Sequence, residues 1–394
     1  MIYLDNAATT KPKQEVIDAM MPYFTDKWHN PSSLYSSVKS EMNEARQVIA
    51  NYINAKEDEI YFTSGGSESN CWAIQGFVNY WKKKCICPAI ITTSIEHKSI
   101  LEYLSNNLAI NHHYLSVDKY GFVNEEELIQ WLEHYKKYEC KVLVSIQMAN
   151  NEIGTIQMIR RLANITHSYG AVFHTDAVQA FGKIKIDVNN YGIDLMSVSG
   201  HKFGCPKGIG FLYIRNGIQI EPLIYGTQER GMRGGTENVP YIIGMKKAVE
   251  MLYDLEIRDF TRNFTKEIIH CKAIAYLNNE MFYRFGCVLN GSVSNFNRIH
   301  GIMSYRFPEE INVNIEALLL LLDMDDICVS AGSACNSHSN QPSHVLKAIG
   351  LSDEECSRTM RISFEYGTLT EEIVNKFIIS LEKAIKIMKA DVNI

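Results

Sequence analysis

Between about residue 15 and residue 260, short β-branched or apolar runs alternate with stretches of helical spacing. The runs EIYFTS (59–64), AIITTS (89–94), HHYLSV (112–117), KVLVSIQ (141–147), AVFHTD (171–176), DLMSVS (194–199) and GIGFLYI (208–214) read as strands. Helical segments at 67–84, 97–107, 124–138 and 158–169 lie between most of them. This alternation predicts a large α/β domain over 15–260, with a mostly parallel seven-stranded sheet and helices on both faces. Such sheets take their ligands outside the carboxyl ends of the strands.

Beyond about residue 245 the pattern changes. A long helix at roughly 240–278 is followed by the strand patterns CVLNGSV and EINVNI, two helices, the strand pattern TMRISFE and an amphipathic helix at 370–389. These predict a smaller α+β domain made of residues 1–14 and 261–394. No internal repeat or low-complexity linker separates the two. The longest apolar run, ALLLLLDM at 317–324, is too short to span a bilayer and reads as core.

Composition narrows the class. The 394 residues are 46% hydrophobic with a net charge of −6, as expected for a globular protein of two or three domains. The basic residues are scattered; the densest group, Lys82–Lys84, reads as a solvated helix end, so no nucleic-acid partner is expected. The opening MIYLDNAATTKP has an early acid and no basic, apolar leader pattern. With ten cysteines and no such leader, a reducing cytoplasm is expected rather than a disulfide scaffold. Cys85 and Cys87 form a CxC with no second pair at zinc spacing, so no metal is expected.

The chemistry gathers where the strands end. TSGGSESN (63–70) follows a strand and opens a helix, which suits an anion and equally suits a plain glycine turn. His97 follows another strand in SIEHKSI, where a structural role is the ordinary one. MANNEIG offers Asn150, Asn151 and Glu152. HTDAVQ ends a strand on Asp176, with Gln179 three residues on; an acid there also suits a helix cap. SVSGHKFGCPKGIG places Ser199, His201 and Lys202 after an apolar strand. An anion cradle, a flat imidazole, a carboxylate and an amine are the set that pyridoxal phosphate (PLP) requires: the amine forms a Schiff base and the carboxylate pairs with the pyridinium nitrogen. Neither a Walker A sequence nor a GxGxxG fingerprint is present.

The segments YLDNAATT, NPSS, FTSGGSES, EHKS, NNEIG, DAVQ, SGHKFGCPKGIG, RGGTEN, SAGSAC and RIS stand in one order. In that order they resemble the cysteine desulfurases of the NifS/IscS type, in the class V aminotransferase branch of the fold-type I PLP-dependent transferases. The resemblance runs from residue 2 to about 385. It implies PLP as cofactor, with Lys202 as the Schiff-base lysine and Asp176 on the ring nitrogen. Gln179 falls to the ring's phenolic oxygen and His97 to stacking and proton movement. Asn151 would touch cofactor or substrate, and Gly66, Ser67, Ser199 and His201 would cradle the phosphate. Thr236 is similar to the residue that reaches the phosphate from the neighbouring subunit, which implies a homodimer. Arg361 matches the guanidinium that grips the α-carboxylate of the substrate, with Asn30 as a second candidate for that contact.

The same resemblance explains Cys335, which lies in the polar stretch SAGSACNSHSNQPSH (330–344) with almost nothing apolar to bury it. In the family the substrate is L-cysteine, the product L-alanine, and this thiolate takes up the sulfur as a persulfide. Sulfur then goes to an acceptor protein, an iron–sulfur scaffold or a thiolation enzyme. Small polar neighbours give the thiol the reach that a core cysteine lacks. A selenocysteine lyase or another class V activity is the alternative, and a non-enzymatic scaffold is opposed by the complete residue set. Three departures stand out. Ser67 replaces a frequent threonine and keeps its hydroxyl. Glu365 and Tyr366 stand where relatives often have Gly and Arg, leaving the cleft rim less basic. The sequence closes on MKADVNI without the longer tail that IscS-type members use on their scaffold.

Overall fold

A computed structural model of the chain describes residues 1–34, 37–262, 264–311, 313–331 and 342–391. Seven of its strands are the seven expected: β2 (Ile60–Thr63), β3 (Pro88–Thr93), β4 (Asn111–Leu115), β5 (Lys141–Ser145), β6 (Val172–Asp176), β7 (Leu195–Ser199) and β8 (Gly210–Ile214). They form one sheet in the order β2-β8-β7-β6-β5-β3-β4. The pairings from β4 through β7 are parallel, and β8 runs antiparallel to both β7 and β2.

Strand side chains alternate between faces, and here both faces are covered. Ile90, Leu143, Leu195 and Leu212 pack with Trp72 and Phe77 of the helix Gly66–Lys83 on one side. Their chain neighbours Ile91, Val144, Met196 and Phe211 go to the other side, with Ala45 and Ile49 of the helix Val38–Tyr52 and Met245 of the helix Val239–Arg262. Two-sided burial explains why these strands read as continuous apolar runs rather than as clean alternation.

The remaining strands are β1 (Ile2–Tyr3), β9 (Val288–Asn290), β10 (Ile302–Arg306), β11 (Ile327–Cys328) and β12 (Thr359–Ser363). β12-β10-β9 is an antiparallel sheet, and β1 pairs with β11 in parallel. A separate apolar cluster, including Leu277, Tyr305, Leu318, Ile362, Phe377 and Leu381, holds this sheet against its helices.

One sequence expectation fails here. EINVNI is not a strand: the residues described within it form a short 3-10 turn (Glu309–Ile311) and the lead into the helix Ile315–Met324. Its alternation arises because Asn314 caps that helix, its side chain accepting from the Ala317 N–H, while Val313 and Ile315 are buried on either side. The strand in this region is β10, whose IMSYR was passed over. The long helix expected at 240–278 is helical throughout its described residues, Val239–Arg262 and Phe264–Phe285.

The first residues of the chain tie the small sheet to the large one. Ile2 and Tyr3 pair with Ile327 and Cys328, and the Asn6 N–H donates to the Ser363 carbonyl at 3.0 Å. The Thr10 N–H then donates to the His201 carbonyl at 2.8 Å, and the Lys13 N–H to Gly204 at 3.0 Å.

Candidate active site

The carboxyl ends of β2, β3, β5, β6 and β7 deliver the polar residues singled out from the sequence. Asp176 closes β6 and is buried. Its Oδ1 accepts the Val178 N–H at 2.9 Å, and its Oδ2 accepts the Asn70 amide at 2.7 Å. Asn70 reaches it from the helix that begins at Gly66, and the Asn70 carbonyl oxygen is buried without a partner among the described residues.

Lys202 lies in the turn that follows β7. Its Nζ donates to the carbonyls of Ala7 at 2.5 Å and Ala8 at 2.8 Å. Gln179 donates from its amide to the same Ala7 carbonyl at 2.9 Å and accepts from Lys183 Nζ at 2.9 Å, which fixes which end of the amide points where. Burial lowers the Lys183 amine to about 7, helped by the charges of Lys202 and Arg361.

His97 follows β3. Burial lowers its pKa below the usual imidazole range; Lys202 and His344 add to this, and Asp176 opposes it. These mutual influences place His97, Asp176 and Lys202 in one electrostatic neighbourhood. The Ser99 N–H donates to His97 Nδ1 at 3.1 Å, so the neutral ring carries its proton on Nε2. His201 Nδ1 lies 3.1 Å from Thr9 Oγ1, and burial beside Lys202 lowers its pKa to about 4.

The cradle is built by close backbone approach. A Cβ on Gly66 would lie 2.6 Å from Val178 Cγ2, and one on Gly210 would lie 2.4 Å from the Val198 carbonyl and 2.7 Å from Gly65 Cα. At Gly210 the obstacles are backbone atoms and only glycine fits, while at Gly66 a Cβ would have to displace the Val178 side chain. Gly66 opens its helix, where the first N–H groups have no partner within the helix, and Ser67 is exposed next to it. Buried Ser199 faces the same loop, its Oγ 3.6 Å from a Cβ placed on Gly65.

Arg361, on β12, is only 1% exposed. Its Nη1 donates to the Asn151 carbonyl at 3.0 Å, and its Nη2 to Asp5 Oδ1 at 2.7 Å and Ser330 Oγ at 3.2 Å. Its Nε is buried without a partner among the described residues. Asn151 thus stands beside Arg361 through its backbone. Asn30 does not join them: it is exposed, and its Oδ1 accepts from the N–H (3.0 Å) and hydroxyl (2.8 Å) of Ser32 in its own turn. Thr236 is also exposed, and with Thr63, Ser64, Glu229 and Arg233 it lines a cleft of about 240 Å³. Cys335 lies outside the described residues, but both sides of its segment are anchored at the site. The Ser330 backbone pairs with Arg361, and the Ser343 hydroxyl donates to the buried Glu152 at 2.5 Å. His344 Nε2 lies 2.9 Å from the Glu96 carbonyl.

Sequence reasoning missed several supports. Glu96 is fully buried: its Oε1 accepts from Thr93 Oγ1 at 2.7 Å and the Gln147 N–H at 3.0 Å, and its Oε2 has no partner among the described residues. Burial, with Asp176 nearby, raises its pKa to about 8. Asn70, Lys183 and Asp5 were missed as well. An acid directly before the histidine at the end of an apolar strand was the available signal for Glu96; Asn70 and Asp5 offered none until the chain was folded.

The donor set fits PLP. A buried carboxylate is held on both oxygens by N–H donors, an amine rests on carbonyls, a neutral imidazole feels the charge of both, and a glycine-rich loop opens a helix. Comparison with known proteins agrees. The aminotransferase class-V family model matches residues 2–376. The chain belongs to that family. A cysteine desulfurase IscS of Methanosarcina thermophila is 41% identical over 94% of this chain and 89% of its own length. A cysteine desulfurase IscS of Clostridium botulinum is 40% identical over 98% and 94%. Among solved structures, a NifS-like protein from Rickettsia africae superposes with a TM-score of 0.83 at 33% identity, covering 98% of this chain and 99% of that one. A structure described as SspA in complex with cysteine gives 0.77 at 33%, covering 93% and 99%. Within the class V family, then, this chain is a PLP-dependent member of the NifS/IscS cysteine desulfurases.

Proposed function

We propose that this enzyme converts L-cysteine to L-alanine, with Cys335 taking the sulfur as a persulfide and passing it to an acceptor protein. The observation that carries this reading is the gathering of Lys202, His97 and Asp176 in one charged neighbourhood, together with a buried Arg361 whose Nε has no partner among the described residues. Lys202 would hold PLP covalently. Asp176 would face its ring nitrogen and Gln179 its phenolic oxygen, with His97 stacked on the ring. Gly66, Ser67, Ser199 and His201 would hold its phosphate, with Thr236 from a second copy of the chain. Bound there, PLP supplies an electron sink for the bonding pair released at the substrate's Cα.

The protein's own residues do the rest. Arg361 orients the substrate by its α-carboxylate, with Asn151 alongside. Lys202 Nζ takes the Cα proton, and His97 Nε2 holds the proton that it can give. The Cys335 thiolate attacks the substrate's sulfur: an S–S bond forms, the Cβ–S bond breaks, and its electron pair returns to carbon, which is protonated and leaves as alanine. The balance is cysteine plus a thiol giving alanine plus a persulfide.

The domain division at 15–260 against 1–14 with 261–394 is part of this reading, and the exposed Thr236 supports a homodimer. Among the described residues no helix is long and apolar enough to cross a membrane, and the free cysteines fit a cytoplasmic setting. Glu365, one of the departures on the cleft rim, is paired with Lys13 at 2.5 Å. Its charge is therefore partly cancelled, and the acceptor meets a nearly neutral rim there.

The test is digestion after exposure to ³⁵S-cysteine. Label is expected on the peptide holding residue 335, lost in Cys335→Ala and in Lys202→Ala. Full alanine production by Cys335→Ala with no labelled peptide in the parent protein sinks the proposal.

A further inference from the structure

At the opposite end of the large sheet's strands, three cysteines gather around the amino ends of β3 and β5. Pro88 and Lys141 are register partners, and the Lys141 N–H donates to the Cys87 carbonyl at 2.9 Å. Cys87 and Cys140 therefore sit side by side, one residue before their strands. Strands neighbour each other at about 4.8 Å, inside the Cα separation of roughly 4.4–6.8 Å that a disulfide spans. The two thiols are close enough to act on each other: Cys87 raises the Cys140 pKa, and both cysteines add to the raised pKa of Tyr135. Cys87 is exposed, Cys140 is half-buried, and the Asn111 amide donates to Cys87 Sγ at 3.0 Å. Exposed Cys85 is two residues away. The site at Lys202 uses none of these residues.

We propose that Cys87 and Cys140 form a peroxide-responsive dithiol that closes to a disulfide across the amino ends of β3 and β5. Cys87 is the exposed member of the pair and therefore the sulfur that peroxide reaches first. Burial and Cys87 push Cys140 up to about 11, so Cys140 stays a thiol, its Sγ donating to the Tyr138 carbonyl at 3.8 Å. The Cys87 sulfur attacks hydrogen peroxide, the O–O bond breaks, one water leaves and Cys87 becomes a sulfenic acid. The Cys140 sulfur then attacks Cys87 Sγ; the S–O bond breaks and the second water carries off the Cys140 proton. Two thiols and one peroxide thus give one disulfide and two waters. Because the pair lies across the sheet from Lys202, closure leaves the sulfur-handling residues in place.

The experiment exposes the PLP-loaded enzyme to equimolar hydrogen peroxide, alkylates the remaining thiols and maps the digest without reductant. The expected result is a peptide joining residues 87 and 140, carried by most of the protein, migrating as a single chain and abolished by dithiothreitol. In Cys140→Ser, Cys87 is expected to accumulate as sulfenic acid, captured by dimedone several-fold above the parent. Recovery of residues 87 and 140 on separately alkylated peptides while other cysteines are oxidised overturns the proposal. So does a bond joining Cys87 to Cys85 instead.

Discussion

Asp176 is held on both carboxylate oxygens, and the side-chain donor comes from Asn70, 106 residues earlier. A hydrogen bond to a charged group contributes roughly 1.5–3 kcal/mol, so Asn70→Ala is expected to weaken PLP binding about tenfold or more, measured by equilibrium dialysis. Glu96 gives a prediction with a sign. Its pKa is raised to about 8 in the folded chain, so the native state keeps a proton that the unfolded chain gives up above about pH 4.5. Stability therefore falls as pH rises from about 4.5 to 8, by roughly 1.4 kcal/mol per unit. Glu96→Gln keeps the shape and removes that dependence. Its thermal midpoint should exceed the parent's by several degrees more at pH 8 than at pH 5; an equal difference at both would mean the carboxyl is already ionised. At this scale, the positions of Lys202, Asp176 and His97 were legible because Asp176 ends an apolar strand and the other two follow closely on one. Asn70 and Asp5 were not, since their meaning lies in partners brought near only by folding.

The elements that frame the site were legible for a related reason. Strands buried on both faces leave nearly uninterrupted apolar runs, as in β3, β7 and β8, whereas the edge strand β4 (NHHYL) is only partly buried and was marked by its β-branched and aromatic neighbours. EINVNI misled because a helix cap flanked by two buried residues has the same period as a strand. The start of the helix at Gly66 can be tested as a packing problem. The atom that a Cβ would strike there is Val178 Cγ2, the end of a side chain, while Val178 Cβ lies at 3.8 Å. Gly66→Ala is therefore expected to lower PLP affinity at least several-fold, and adding Val178→Ala should restore most of it. Failure of the second change to rescue would place the constraint in the backbone rather than in that contact.

For the whole molecule, the reading that Thr236 serves a neighbouring copy makes a prediction about mixed assemblies. Lys202→Ala and Thr236→Val should each be impaired alone. When the two are co-expressed, the mixed dimer regains one complete site, because the copy with an intact Lys202 receives the intact Thr236. Activity near half that of the parent dimer is expected in purified heterodimers, and none is regained if Thr236 serves its own chain. The segment that joins the two sheets has a consequence of its own for how the molecule is made. Ala7 and Ala8 support Lys202, yet the Ala7 N–H is itself held by Ser363 Oγ at 2.9 Å, and Ile2 pairs with Ile327. On the ribosome the opening residues emerge first, but they have nowhere to dock until nearly the last strand has been translated. The nascent chain thus stays without a finished reaction centre until synthesis is almost over.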